Sequence, residues 1–290
     1  MTFWDLAIAP FMDFGFMRRA LLGCAALSLG ACPLGVVLIL RRMSLVGDAM
    51  SHAILPGAAV GFLVAGFSLF AMALGGLVSG LVVAGLAGLV SRFTTMREDA
   101  SFAAFYLASL GLGVLLVSLK GSNVDLLHVL FGTVLALDDS ALLLMSAVAT
   151  LSLLLVALLY RAIVAACLDP AFLRTLGPAG GLAHGIFLLL VVLNLVGGFQ
   201  ALGTLMVIGI MMLPAASSRF WSASVAGQMA VSAAIGLASS FVGLLVSFHY
   251  DLPASPAIIL SASVVYVVSL VAGHRGGLVR QILDPSFQRA

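Results

Sequence analysis

Long apolar runs separated by short polar stretches account for nearly the whole chain. The runs do not alternate residue by residue, so the ~10-residue dyad strands of a membrane β-barrel are not in evidence. An α-helix needs about 20 apolar residues to cross a ~30 Å hydrocarbon core. Windows of that length predict about nine spans, near 20–40, 49–68, 71–91, 100–119, 141–160, 182–199, 201–218, 226–248 and 256–273. Two places leave the count open between eight and ten. The pair Gly197-Gly198 is expected to break the sixth span from the seventh, and the apolar patch 126–137 reads as a short re-entrant helix. The predicted fold is all-α, a polytopic transmembrane bundle. No Pro- or Ser-rich linker divides it, so one membrane domain is expected over 1–290.

Composition fixes the class. Hydrophobic residues are 63% and charged residues 8%, with a mean hydropathy of +1.25. A soluble domain carries about 25% charge, so a fully water-solvated surface is excluded. The 31 glycines suit close helix–helix approach in lipid. A net charge of +2 gives no footing for nucleic acid. Cys24, Cys32 and Cys167 are scattered without a CxxC, and no disulfide is expected. The first residues carry Asp5 and Asp13 and no basic n-region, unlike a cleaved signal peptide. Residues 1–18 are read as an interfacial segment with Phe3, Trp4, Phe11 and Phe14 at the headgroups.

Positive charge orients the bundle. With the C-terminus in the cytoplasm, ten of the 13 basic residues fall inside and only Arg18, Arg19 and Lys120 fall outside. The opposite orientation reverses that ratio, so the N-terminus is placed outside and the C-terminus inside.

Against this apolar background, Asp48 and His52 stand out in RRMSLVGDAMSHAILPG. Spacing of i, i+4 puts both on one helix face. His52 lies ten residues beyond Arg42, which is ~15 Å of helix and close to the bilayer midplane. Pro56 and Gly57 follow one turn later and are expected to kink the helix. An ionisable pair at that depth is costly and points to a path, a cavity or a partner. Carboxylate plus imidazole is half of a divalent-metal site, and a second copy across a two-fold axis would complete it. The alternative is local: Asp48 capping a helix and His52 bonded to a neighbouring carbonyl.

The same stretch, RRMSLVGDAMSHAILPGAAVGF, resembles the signature of the ABC-type zinc/manganese permease family, the membrane subunits of bacterial metal importers. REDASFAAFYLASLGLGVLLVSL at 97–119, DLLHVLFGTVLAL at 125–137 and GTLMVIGIMMLPAASSRF at 203–220 are similar to further segments of that family. The resemblance implies a multi-pass protein of the bacterial inner membrane, working as a homodimer. Its implied partners are a dimer of cytoplasmic ATP-binding subunits and an extracytoplasmic metal-binding protein, with membrane lipid around it. It also implies that Asp48 and His52 line the path and hold the metal, which is cargo; no permanent cofactor is expected.

The ATPase split has independent support. The single lysine, Lys120, follows Leu119, so no G-x-x-x-x-G-K-[ST] loop exists and the chain is not expected to be an enzyme. The connection 161–181 is the longest cytoplasmic one. Asp169 before Pro170 reads as an N-cap opening a short helix over AFLRTLG. The family resemblance makes this the coupling element, with Arg174 facing the ATPase.

Other polar residues have plainer readings. Glu98 and Asp99 favour the N-terminus of a helix, with an ATPase contact as the alternative. Asp125, His128, Asp138 and Asp139 read as outer-loop residues, His249 with Tyr250 as an interfacial anchor, and His274 as cytoplasmic flank. His184, just inside the sixth span, is a second-rank path residue. Asn194 and Gln200 suit hydrogen bonds between helices, and Met206, Met211 and Met212 suit packing. Two rival functions remain. One is an ATPase-independent secondary transporter with an Asp–His proton relay; the other is a permease for a metal chelate, with a wider pore and no direct ligands.

Overall fold

The computed structural model describes residues 7–66, 68–96, 98–119, 134, 137–168 and 178–278. Among these there is no strand, and twelve helices carry the chain: α1 Ala9–Asp13, α2 Gly15–Leu40, α3 Ser44–Ala53, α4 Leu55–Ala65, α5 Leu69–Phe93, α6 Glu98–Leu119, α7 Asp139–Leu158, α8 Tyr160–Leu168, α9 Pro178–Leu202, α10 Thr204–Ser218, α11 Val225–Tyr250 and α12 Ala254–Ala272. Eight segments of the described residues are long and apolar enough to cross a membrane, with Ser44–Ala65 (α3 and α4 together) counted as one. The ninth apolar helix, α10, has only 15 residues, or ~22 Å.

Backbone satisfaction explains the helix ends. In lipid an orphan N–H or C=O has no water to turn to. Ser68, Asp138 and Ser224 each accept a backbone N–H three residues on, capping α5, α7 and α11. The end of α2 is wound into a Schellman turn: Met43 N–H donates to Leu38 O (2.8 Å) and Arg42 N–H to Ile39 O (3.0 Å). Arg42 occupies the left-handed position there, at φ 59°, where glycine is usual.

The bundle is built around α2, which is 78% buried over its apolar window and packs against α7, α10 and α11. A second group, α3 to α6, is closed by α4 crossing α5. A Cβ added at Gly57 would run into the Gly75 carbonyl, and one at Gly61 into that of Ala71. Side-chain-free backbones meet here, the close approach that small residues allow in membranes. Helix α9 touches both groups. Its Asn194 donates to Ser152 Oγ of α7 at 2.6 Å, a hydrogen bond between helices of the expected kind.

One expectation needs correction. Helix α9 runs unbroken through Gly197-Gly198, and the break falls at Gly203, at φ 87°. The glycine pair serves packing instead: a Cβ on Gly198 would sit 2.6 Å from Val207 of α10. Phe11 is buried and stacks on Phe241 of α11 with ring centroids 5.1 Å apart. Phe14 packs on Phe248 at the end of the same helix. Of the patch 126–137, only Val134 and Leu137 are described, both buried; the rest lies outside the described residues.

Cross-contacts sort the connections by face. Arg19 at the start of α2 pairs with Asp139 at the start of α7, 3.0 Å apart. At the other end, Arg41 meets His184, and Arg275 N–H donates to Phe220 O. Residues assigned to one side of the membrane by charge therefore meet others assigned to that side.

Candidate metal-passage site

The site begins with a broken span. Pro56 has no N–H for the carbonyl one turn back, which weakens the helix ladder here. The helix turns tightly at Ile54, whose N–H reaches the carbonyls of both Met50 and His52, and restarts as α4 with Pro56 in its first turn. The Ala53 carbonyl at the break accepts two hydroxyls from different helices: Ser79 of α5 at 2.6 Å and Ser109 of α6 at 3.1 Å. The discontinuity is thus pinned on both sides.

Asp48 and His52 project from the half before the break. His52 Nε2 lies 3.8 Å from Asp48 Oδ1, and the side chains are 30% and 54% exposed respectively. That separation is too long for a hydrogen bond. With metal–ligand bonds of ~2.0–2.2 Å, two donors on one ion stand at roughly 3–3.5 Å, so a small side-chain movement would let both reach one cation. The imidazole is steadied by Tyr106 of α6, whose ring stacks on it at 6.0 Å and 28°. The other ring nitrogen, Nδ1, is buried and makes no hydrogen bond. On the opposite flank, the backbone at Gly47 lets Met211 and Met212 of α10 pack close; a Cβ there would meet both methyls at 2.6–2.7 Å. The methionines thus pack against the backbone of α3 at Gly47.

The pair belongs to a stripe that this chain leaves uncovered. Leu45, on the α3 face that carries Asp48 and His52, is 71% exposed, and Val60 and Val64 of α4 are 45% and 82% exposed. A carboxylate within a lipid-facing stripe would be unsatisfied, so the stripe demands a water path or a second protein surface. The ligand count agrees: among the described residues, no three His, Cys, Asp or Glu side chains gather closely enough to hold a metal. The described residues of one chain bring two such donors together here.

The remaining candidates lie elsewhere. His184 does not join the pair; its Nδ1 is 2.7 Å from Arg41 Nη1 at the end of α2. Asp169 and Arg174 lie outside the described residues, as do Asp125 and His128. The first part of the 161–181 connection is helical, as α8. Asp138 caps α7 from an exposed position. The Ser140 hydroxyl, the Ala141 N–H and Arg19 together hold its carboxyl below the usual range. His249 is exposed, with Nδ1 2.9 Å from the Leu245 carbonyl. His274 packs edge-on against Trp221. Sequence reasoning passed over Tyr106, Ser79 and Ser109. Each lies on another helix, and only tertiary packing brings it to the break.

Comparisons with known proteins agree on one family. The ABC 3 transport family matches residues 13–273. The manganese import system permease protein ScaB of Streptococcus parasanguinis is 30% identical over 266 residues, covering 90% of this chain and 94% of that protein. The manganese transport system membrane protein MntC of Listeria innocua is 28% identical over 274 residues, covering 94% and 96%. Among solved structures, PsaBC from Streptococcus pneumoniae in complex with Fab aligns with a TM-score of 0.82 at 26% identity, over 95% of this chain and 98% of that one.

Proposed function

We propose that this chain, which belongs to the ABC 3 transport family, passes a divalent transition metal, manganese first, through a transient Asp48–His52 site. The observation that carries the reading is the half-exposed carboxylate–imidazole pair on a broken helix of an otherwise apolar stripe. Oxygen plus imidazole donors suit Mn, Zn and Fe(II) alike. The manganese permeases named among the relatives favour manganese.

The working unit in this proposal is a two-fold homodimer, in which a second Asp48 and His52 complete the shell. A cytoplasmic ATP-binding dimer drives it, and an extracytoplasmic binding protein delivers the ion. The C-terminus and the 161–181 connection face the cytoplasm, where Asp169 opens the coupling element and Arg174 faces the ATPase. The shell is open and labile, as passage requires: an ion must enter and also leave. Tyr106 limits ring rotation of His52, and the pinned break at Ala53 supplies a fixed point against which α3 moves.

The test is radiolabelled manganese uptake in proteoliposomes holding the complete transporter. Asp48→Asn and His52→Gln should each lower uptake by at least tenfold, with ATP hydrolysis still present. Near-normal uptake in the double variant would overturn the direct-ligand reading and leave a chelate as cargo. Uptake by this chain alone under a pH gradient, without ATP, would instead establish the proton-relay transporter.

A further inference from the structure

We propose that Arg41 and His184 are positioning residues: together they clamp the turn leading into the Asp48–His52 helix to α8 and α9, which hold the two ends of the 161–181 connection, so that movement of this connection reaches the metal pair. The proposal rests on the ATP-driven reading above. Arginine cannot act as an acceptor and stays charged, so in the 2.7 Å contact Arg41 Nη1 donates and His184 Nδ1 accepts. The acceptor role places the ring proton on Nε2. The guanidinium also lies 5.7 Å from the centroid of the Phe187 ring, one helical turn beyond His184 on α9. A small cavity at this point is walled by Arg41, Ala162, Ile163, Ala166, His184 and Phe187. One arginine therefore touches α9, which leads out of the connection, and shares a wall with α8, which forms its first part.

The far side of the clamp is stiff. Arg41 is the last residue before the Schellman turn, whose two hydrogen bonds leave Arg42 and Met43 little freedom. Helix α3 starts at Ser44, and Asp48 follows one turn later. The left-handed Arg42 (φ 59°) holds a conformation that costs an L-residue energy, so the turn is kept by its surroundings rather than by preference. A shift of α8 or α9 relative to α2 would act on the guanidinium, and the tight turn would pass it to α3 without slack.

The experiment uses the whole transporter, with its ATPase and binding protein, in proteoliposomes. Arg41→Gln, His184→Phe and His184→Asn are compared for ATP hydrolysis, manganese uptake and manganese affinity. Asparagine can place its carbamoyl oxygen near the position of Nδ1, whereas phenylalanine keeps the ring bulk and removes the acceptor. For Arg41→Gln and His184→Phe the clamp predicts hydrolysis within about twofold of the parent, unchanged affinity, and uptake per ATP reduced at least fivefold. His184→Asn should recover at least half of the lost coupling. An unchanged uptake-to-hydrolysis ratio, or uptake and hydrolysis falling in equal proportion, would overturn it, as would loss of affinity in His184→Phe, which marks a direct ligand. If His184→Phe fails to assemble, Arg41→Gln against His184→Asn gives the same decision. Asp48→Asn in parallel separates the two ideas. Its normal uptake would strike the metal-site reading, whereas normal coupling in the clamp variants alone would strike only the clamp.

Discussion

Tyr106 shows what one side chain would add to the proposed two-ligand site. It contributes no donor that this geometry uses, yet its ring stacks on His52 and restricts the imidazole. A stacked aromatic pair is worth about 0.5–1.5 kcal/mol, or roughly two- to tenfold in an equilibrium. Tyr106→Ala should therefore raise the half-saturation concentration for manganese uptake by about that factor, while Tyr106→Phe should stay within twofold of the parent. Equal effects of the two substitutions would show that the hydroxyl, not the ring, matters. Asp48 and His52 were legible in the sequence because charge is so scarce around them that depth and spacing single them out. Tyr106 was not, because an aromatic residue in an apolar helix carries no such contrast. The position of His184 near a span end was plain in the sequence, but its contact with Arg41 depends on how α2 and α9 lean together.

Among the elements, the α4–α5 crossing shows how little space a membrane bundle leaves. Gly57 and Gly75 face each other so closely that a methyl on either would strike the other's carbonyl. Overpacking of this kind costs ~1–3 kcal/mol. Gly57→Val should lower the thermal midpoint of the detergent-solubilised protein; an unchanged midpoint would mean that the crossing yields without penalty. Helix existence was legible almost throughout, since apolar length alone defines a span. Helix breaks were less so. The proline break before α4 was expected because Pro56 removes a donor whatever its surroundings. The Gly197-Gly198 break was expected and did not occur, because glycine permits a bend without imposing one, and Val207 fills the space its missing side chain leaves.

At the scale of the whole molecule, the uncovered stripe of α3 and α4 is the feature that one chain cannot account for. Leu45 is exposed on the α3 face that carries Asp48 and His52, and Val60 and Val64 are exposed on α4. If a second copy covers it around a two-fold axis, a cysteine at Leu45 can approach its symmetry mate. In a background with Cys167 replaced, leaving only the buried Cys24 and Cys32, Leu45→Cys should give an oxidant-dependent dimer band. Leu143→Cys, at an equally exposed position on α7, should not. Equal cross-linking at both positions would count against the dimer seam. The paired faces seen at Arg19–Asp139 and Arg41–His184 already give the passes a consistent parity. Charge counting could suggest that order, but only the packed bundle displays the partners.

The doubly held carbonyl of Ala53 has an evolutionary consequence. Either hydroxyl alone keeps that oxygen from facing hydrocarbon unpaired, so Ser79 and Ser109 back each other up. A lineage descending from this sequence can drift through the loss of one serine with little penalty, but losing the second would then be far harsher than losing the first. The two positions are free individually and constrained jointly. Descendants should therefore scatter between the two single-serine states and avoid the state that has neither.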